Sequence, residues 1–213
     1  MRGPVMKRIA IMIDGGHLRY VAQKAGYVYD PDFIEGFAKN CRLADEEVFR
    51  ILYYDCAPYG GKAKLPVSGQ IQTFTGSDQW LVDLSKRELC AVRRGVLKFR
   101  GFKPKVIPIP AGAVLQDADF TPYFEQKGVD MRIGLDIALF STNRAVERIV
   151  LVSNDTDCVP ALKHGRRAGL QIAIAELPGR IVAAELLTHA DFKRSVQWPR
   201  QAAPAASVPV ARP

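Results

Sequence analysis

RIVLVSNDTDCVPALKHGRRAGLQIAIAEL, residues 148–177, contains two apolar runs separated by a turn and a helix-like segment. The first run, RIVLVS, is apolar at successive positions rather than alternating, which is the pattern of a strand buried on both faces. DCVPALKHGRRAG has helical character and closes on Gly169, after which LQIAIAEL is again continuously apolar. Two buried strands joined through a helix form a parallel crossover. Working outward, IAIMI at residues 9–13 repeats the buried-strand pattern and ends at Asp14-Gly15-Gly16. His17–Ala25 reads as a short helix. A second helix is predicted from Asp30-Pro31-Asp32 through FIEGFAKNC, with an acid to cap it and a proline suited to its first turn. VFRILYYDC, residues 48–56, is the next strand. Strands alternating with helices predict an α/β fold with a mainly parallel central sheet covered on both faces.

Residues 57–78, APYGGKAKLPVSGQIQTFTGSD, read as a surface excursion long enough to be a functional loop or lid. Residues 79–94 predict a helix, with Leu81, Leu84, Leu89 and Val92 on one broad arc and Gly95 as its stop. VLKFRGF and KVIPIP read as two extended pieces split near Lys103-Pro104. DMRIGLDIALF, residues 130–140, is apolar on most faces, which predicts a helix packed well into the core with Asp130 in a capping position. The last helix is predicted over 182–196. No internal repeat is visible. The chain divides into one domain, residues 6–197, and a Pro- and Ala-rich tail, residues 198–213, expected to be disordered.

With 213 residues, 48% hydrophobic and 24% charged, the chain has the profile of a globular protein. A formal charge of +8 and a pI near 9.4 favour a polyanionic partner without naming nucleic acid. Cys41, Cys56, Cys90 and Cys158 form no CxxC or Cys/His run, so neither a zinc site nor a disulfide framework is signalled. The apolar run near the start meets Asp14 after five residues, too few for a signal peptide or a membrane span. The expectation is a cytoplasmic protein with no membrane partner.

In an open parallel sheet the functional crevice lies beyond the carboxyl ends of the strands. Asp14 ends the first strand, Asp155 follows RIVLVS, Asp157 opens the next helix, and Asp130 joins them if its helix packs beside the first strand. Taken singly, Asp157 and Asp130 read as helix caps and Asp14 as a turn residue. Asp155 is harder to explain, because a strand-end carboxylate beside another acid raises the cost of both charges unless a cation sits between them. A hard divalent cation such as magnesium meets that need and suits phosphoryl chemistry. No GxxxxGK[ST] loop competes: Gly60-Gly61-Lys62 lacks the spacing. An aspartate-based phosphatase would need a nucleophilic acid two residues before Asp14, where Met12 stands. Asp136 is expected to pair with Arg132 one turn away. His164 and His189 are isolated, while His17 lies near the acids by sequence.

The ordered segments IDGGHL (13–18), KGVDMRIGLDIA (127–138), LVSNDTDCVPAL (151–162) and LLTHADF (186–192) resemble the NYN domain family, the LabA-like group of the PIN-like nuclease superfamily. YYDCAP and LCAVRRGVLKFRG also look like that family's text, so the likeness spans roughly residues 6–195. The resemblance implies a PIN-like three-layer α/β/α sandwich and a metal-dependent endoribonuclease site served by Mg2+ or Mn2+. Carried over by motif, the catalytic and metal-binding set is Asp14, Asp130, Asp155 and Asp157. His17 stands where relatives often have Asn, and Cys158 where they often have Phe. Both departures leave the acidic quartet intact.

Between Lys86 and Lys105 there are eight Lys or Arg residues against one acid, Glu88. Arg93, Arg94, Lys98 and Arg100, extended by Lys62 and Lys64 in the preceding segment, are the candidate RNA-binding residues, with Tyr59 and Phe74 available to stack on bases. The competing reading is a solvated charged face on a non-catalytic RNA-binding or regulatory module that retains the fold. Exposed edge strands also leave a homodimer open.

Overall fold

In the computed structural model, which describes residues 6–200, alternation along the first strand sets the layering. In β1 (Lys7–Asp14), Ile9, Ile11 and Ile13 enter one buried cluster, and Ala10 and Met12 enter another. Successive side chains on a strand face opposite ways, so a strand apolar throughout needs cover on both sides. Helices α1 (Gly15–Lys24) and α2 (Pro31–Asn40) cover one side through Leu18, Val21, Phe33 and Phe37. Each fully buried side chain of this size contributes about 1.5–3 kcal/mol. Asp30 caps α2 by accepting the Phe33 N–H at 2.8 Å, and Pro31 opens its first turn. The chain returns through β2 (Glu46–Cys56), parallel to β1.

The expected surface excursion is an antiparallel hairpin of β3 (Gly61–Lys64) and β4 (Ile71–Phe74). The helix expected over 79–94 is shorter: α3 (Gln79–Ser85) buries Leu81 and Leu84 and then stops. Leu89 turns the chain with φ of 59°, and β5 (Cys90–Pro104) begins. Its first part pairs in parallel with β2 from Ile51↔Cys90 to Cys56↔Gly95, so Gly95 lies inside a strand rather than ending a helix. Ladder hydrogen bonds and the burial of Cys90 outweigh a helical periodicity carried beyond the true end by Leu89 and Val92. β5 then runs past β2 and pairs antiparallel with β6 (Phe120–Lys127), a strand the sequence reading does not anticipate. VLKFRGF is therefore continuous with β5, whereas KVIPIP lies beyond it.

Helix α4 (Val129–Asn143) and β7 (Arg148–Val152) follow, then α5 (Val159–Arg167), β8 (Gln171–Glu176), α6 (Ala184–Thr188) and β9 (Phe192–Ser195). The single helix expected over 182–196 is thus a short helix and a strand. β9 extends the sheet parallel to β8, and the Asp191 carboxylate before it accepts the Ile172 N–H at 2.8 Å. Ile133, Ile137, Phe140, Leu162 and Leu186 cover the second side of the sheet. α4 is less enclosed than expected: Met131, Leu135 and Leu139 form an outer row that is 70%, 63% and 53% exposed. Asp130 lies in the first turn of α4, and Gly128 rather than Asp130 occupies its cap position.

The sheet has seven strands in the order β6-β5-β2-β1-β7-β8-β9, parallel at every pairing except β5 with β6. With helices on both faces it is a three-layer α/β/α sandwich. A buried charged node braces it: Glu46 receives Arg148 Nη1 at 2.5 Å and Arg194 Nη1 and Nη2 at 2.9 and 2.8 Å, joining β2, β7 and β9. The expected disordered tail is anchored where it begins. Trp198 lies against Tyr27, Phe33 and Phe37 with ring centroids 5.4–5.9 Å away and so packs against the buried cluster that contains Phe33 and Phe37. Residues 201–213 lie outside the described residues.

Candidate active site

β1 ends at Asp14, whose carboxylate accepts the His17 N–H at 3.1 Å and so caps α1. Next to it, β7 is followed directly by Ser153, which is buried. The Ser153 hydroxyl is 3.2 Å from Asp14 Oδ2 as donor and accepts the Asp155 N–H at 3.1 Å, tying the two strand ends together. Asp155 accepts the Asp157 N–H at 2.9 Å and so caps the 3-10 turn Thr156–Cys158, the role the sequence reading gave to Asp157. α4 brings Asp130 to the same place. One carboxylate oxygen from each of Asp130, Asp155 and Asp157 lies within 4.8 Å of the others, close enough for all three to ligate one cation. Asp14 stands outside that triad, linked to it through Ser153.

The like charges act on one another. Burial pushes the Asp14 carboxyl above its ordinary value, with Asp55 and Asp155 adding to the effect and the His17 N–H and Ser153 hydroxyl opposing it. Asp130 is raised by burial and then by Asp155, Asp14 and Asp157. Three carboxylates, with neither thiolate nor imidazole among them, make a donor set suited to a hard divalent cation. Burial and the surrounding acids push the Cys158 thiol to about 12, which leaves it protonated and a poor nucleophile. Burial and the charge of Arg180 hold His17 below its ordinary value, so its imidazole is neutral near pH 7.

Two of the acids, Asp14 and Asp155, open onto a groove of about 610 Å³ whose lining also includes His17, Arg19, Gln126 and Asn154. Sequence reasoning missed the support beneath it. Asp55, fully buried one residue before the end of β2, accepts Arg19 Nη1 at 2.5 Å and Nη2 at 3.2 Å, and the Tyr53 hydroxyl at 3.0 Å. Gly15 permits this packing, since a Cβ there would lie 2.3 Å from the Tyr53 oxygen and 2.8 Å from Asp55 Oδ2. The available signal was YYDC itself, an acid at a strand end beside β1. Ser153 carried a similar signal as the polar residue closing an apolar strand.

The candidate RNA contacts divide. Arg93 is bound to Asp136 through Nε at 3.0 Å, Arg94 to Asp78 and Arg100 to Glu125. Asp136 therefore pairs across to β5, and with the Tyr54 hydroxyl at 2.9 Å, rather than with Arg132. Arg132 turns instead to the Gly128 carbonyl at 3.2 Å. Lys62, Lys64 and Lys98 are exposed. Tyr59 and Phe74, expected to be available for base stacking, pack against each other and against Phe99 and Phe124 at 5.5–5.9 Å. They fasten the β3–β4 hairpin to the β5–β6 arm.

Among the described residues no helix is long and apolar enough to cross a membrane. No curated protein matches the chain. Among solved structures, a Vibrio parahaemolyticus protein of unknown function superposes with a TM-score of 0.53 at 19% identity, over 92% of this chain and 96% of that one. That likeness shows the shared fold. The model of the NYN domain matches residues 8–193. The chain therefore belongs to the NYN domain family, within the PIN-like superfamily.

Proposed function

We propose that the protein is a divalent-metal-dependent endoribonuclease that hydrolyses RNA phosphodiester bonds, with Asp130, Asp155 and Asp157 holding Mg2+ or Mn2+ and Asp14 completing the site. NYN domains are generally nucleases, and the observation that carries the reading for this chain is the approach of those three carboxylates to within 4.8 Å. When bound, the cation supplies a Lewis acid that offsets charge at the phosphate and lowers the pKa of water. Ser153 keeps Asp14 and Asp155 in fixed relation. Arg19, its guanidinium oriented by Asp55, keeps N–H groups beyond those bonds for a phosphate oxygen in the groove. Lys62, Lys64 and Lys98 provide mobile positive charge for the RNA backbone, and the paired Arg93, Arg94 and Arg100 shape the surface around them.

The test is cleavage of an end-labelled RNA by purified protein with Mg2+ or Mn2+, with chelator, and with the Asp155→Asn variant. Cleavage that needs the metal and disappears in the variant supports the reading. RNA binding without cleavage under any metal condition would replace it with a non-catalytic RNA-binding module.

A further inference from the structure

Beside the acidic groove lies a second recess of about 420 Å³, and the two share His17, Tyr20 and Asn154. Its inner lining is apolar: Val21, Ala175, Leu177 and Val182 are all buried. Towards solvent it is lined by His17, Tyr20, Arg180 and the exposed Ile181; the Arg180 guanidinium carbon lies 5.9 Å from the Tyr20 ring centroid, and Lys24 Nζ lies 4.6 Å from the same centroid.

Local structure preforms the wall. The Arg180 N–H donates to the Leu177 carbonyl at 3.0 Å, closing a turn in which Gly179 takes a φ of 70° that side chains disfavour. At the far end of the same segment, Asn154 Oδ1 accepts the Ala183 N–H at 2.7 Å. That bond holds the segment over the end of β7 and leaves the Asn154 amide N–H groups as donors.

A phosphate or a metal ion finds no counterpart in an apolar floor, and an aliphatic ligand makes no use of a planar, donor-bearing rim. A nucleobase has both properties, with apolar faces and a polar edge, and stacks on aromatic and guanidinium planes. We infer that this recess is a nucleobase subsite, receiving the base of the nucleotide next to the phosphate at the acidic cluster. The inference rests on the proposed RNA substrate and adds the part of the site that distinguishes one base from another. His17 links the two regions: its backbone N–H donates to Asp14, and the residue lines both the groove and the recess.

The experiment measures binding of four fluorescent, cleavage-resistant phosphorothioate RNA tetranucleotides, each of a single base, by anisotropy in Mg2+. Wild type is expected to rank the four unequally. Tyr20→Ala and Arg180→Ala each weaken the preferred tetranucleotide about tenfold and flatten the ranking, whereas Tyr20→Phe, which keeps the ring, preserves both. Both residues are exposed, so the fold tolerates the changes. Unchanged affinity and ranking in both alanine variants overturns the subsite, even if wild type cleaves ordinary RNA in parallel. Loss of base-ranked binding in those variants, in a wild type that cleaves no RNA, supports the subsite while the nuclease reading fails.

Discussion

Asp130 feels burial and three neighbouring negative charges, and all raise its pKa above the ordinary 3.8 of the unfolded chain. Between the unfolded and folded values the native state binds more protons, so stability of the metal-free protein falls as pH rises through that window. The cost grows from the unfolded value upward and so already acts at pH 7. Asp130→Asn is expected to raise the melting temperature of the metal-free protein at pH 7, and a lower one would contradict this account of the charge cluster. Gly15→Ala acts in the opposite sense. A methyl group 2.3 Å from the Tyr53 oxygen is expected to cost about 1–3 kcal/mol in denaturant unfolding and to displace Arg19 from Asp55. The four acids were legible in the sequence because each closes a strand or opens a helix. Arg19 and Asp55 were not, since 36 residues separate them and only the β1–β2 register, Asp14 beside Tyr54, brings them together.

Among the elements, the β3–β4 hairpin and the β5–β6 arm depend on a small aromatic cluster centred on Phe99, which contacts Tyr59, Phe74, Phe102 and Phe124 at 5.2–5.9 Å. Phe99→Ala is expected to cost about 2–4 kcal/mol and to speed amide exchange across residues 61–74 far more than in β1 and β7. Uniform exchange across the molecule would mean that the arm is not a separate packed unit. This region was the least readable in the sequence. Leu81, Leu84, Leu89 and Val92 fit a helix as a pattern, but Cys90 pairs with Ile51 of a strand far away in the chain, and no local signal specifies that pairing. Buried parallel strands such as IAIMI and the IVLV of β7 were legible because burial on both faces is what explains four or five apolar positions in a row.

Across the whole molecule, Glu46 joins β2, β7 and β9. Burial alone would raise its pKa, but hydrogen bonds from Arg194, the Leu43 N–H and Arg148 outweigh that and hold it below its ordinary 4.5. A depressed folded value means that the contribution to stability is present above the unfolded pKa and is lost as pH falls through the folded one. Glu46→Gln leaves two buried arginines without a counter-ion and is expected to cost about 3–5 kcal/mol near neutrality, with a flatter decline of stability below pH 4.5 than in wild type. An unchanged acid limb would remove Glu46 from that role. The same sandwich carries two distant chain segments to one sheet end, so that Asp130 in the first turn of α4 meets Asp155 and Asp157 of the 3-10 turn that follows β7.

The claim that these three acids form one cation site is tested most directly by calorimetric titration of Mn2+ into wild type, Asp130→Asn and Asp157→Asn at pH 7. The account predicts saturable binding in wild type and a loss of at least about tenfold in affinity in each variant, as expected when a ligand to a shared ion is neutralised. Absence of binding in wild type, or equal affinity in all three proteins, would contradict it.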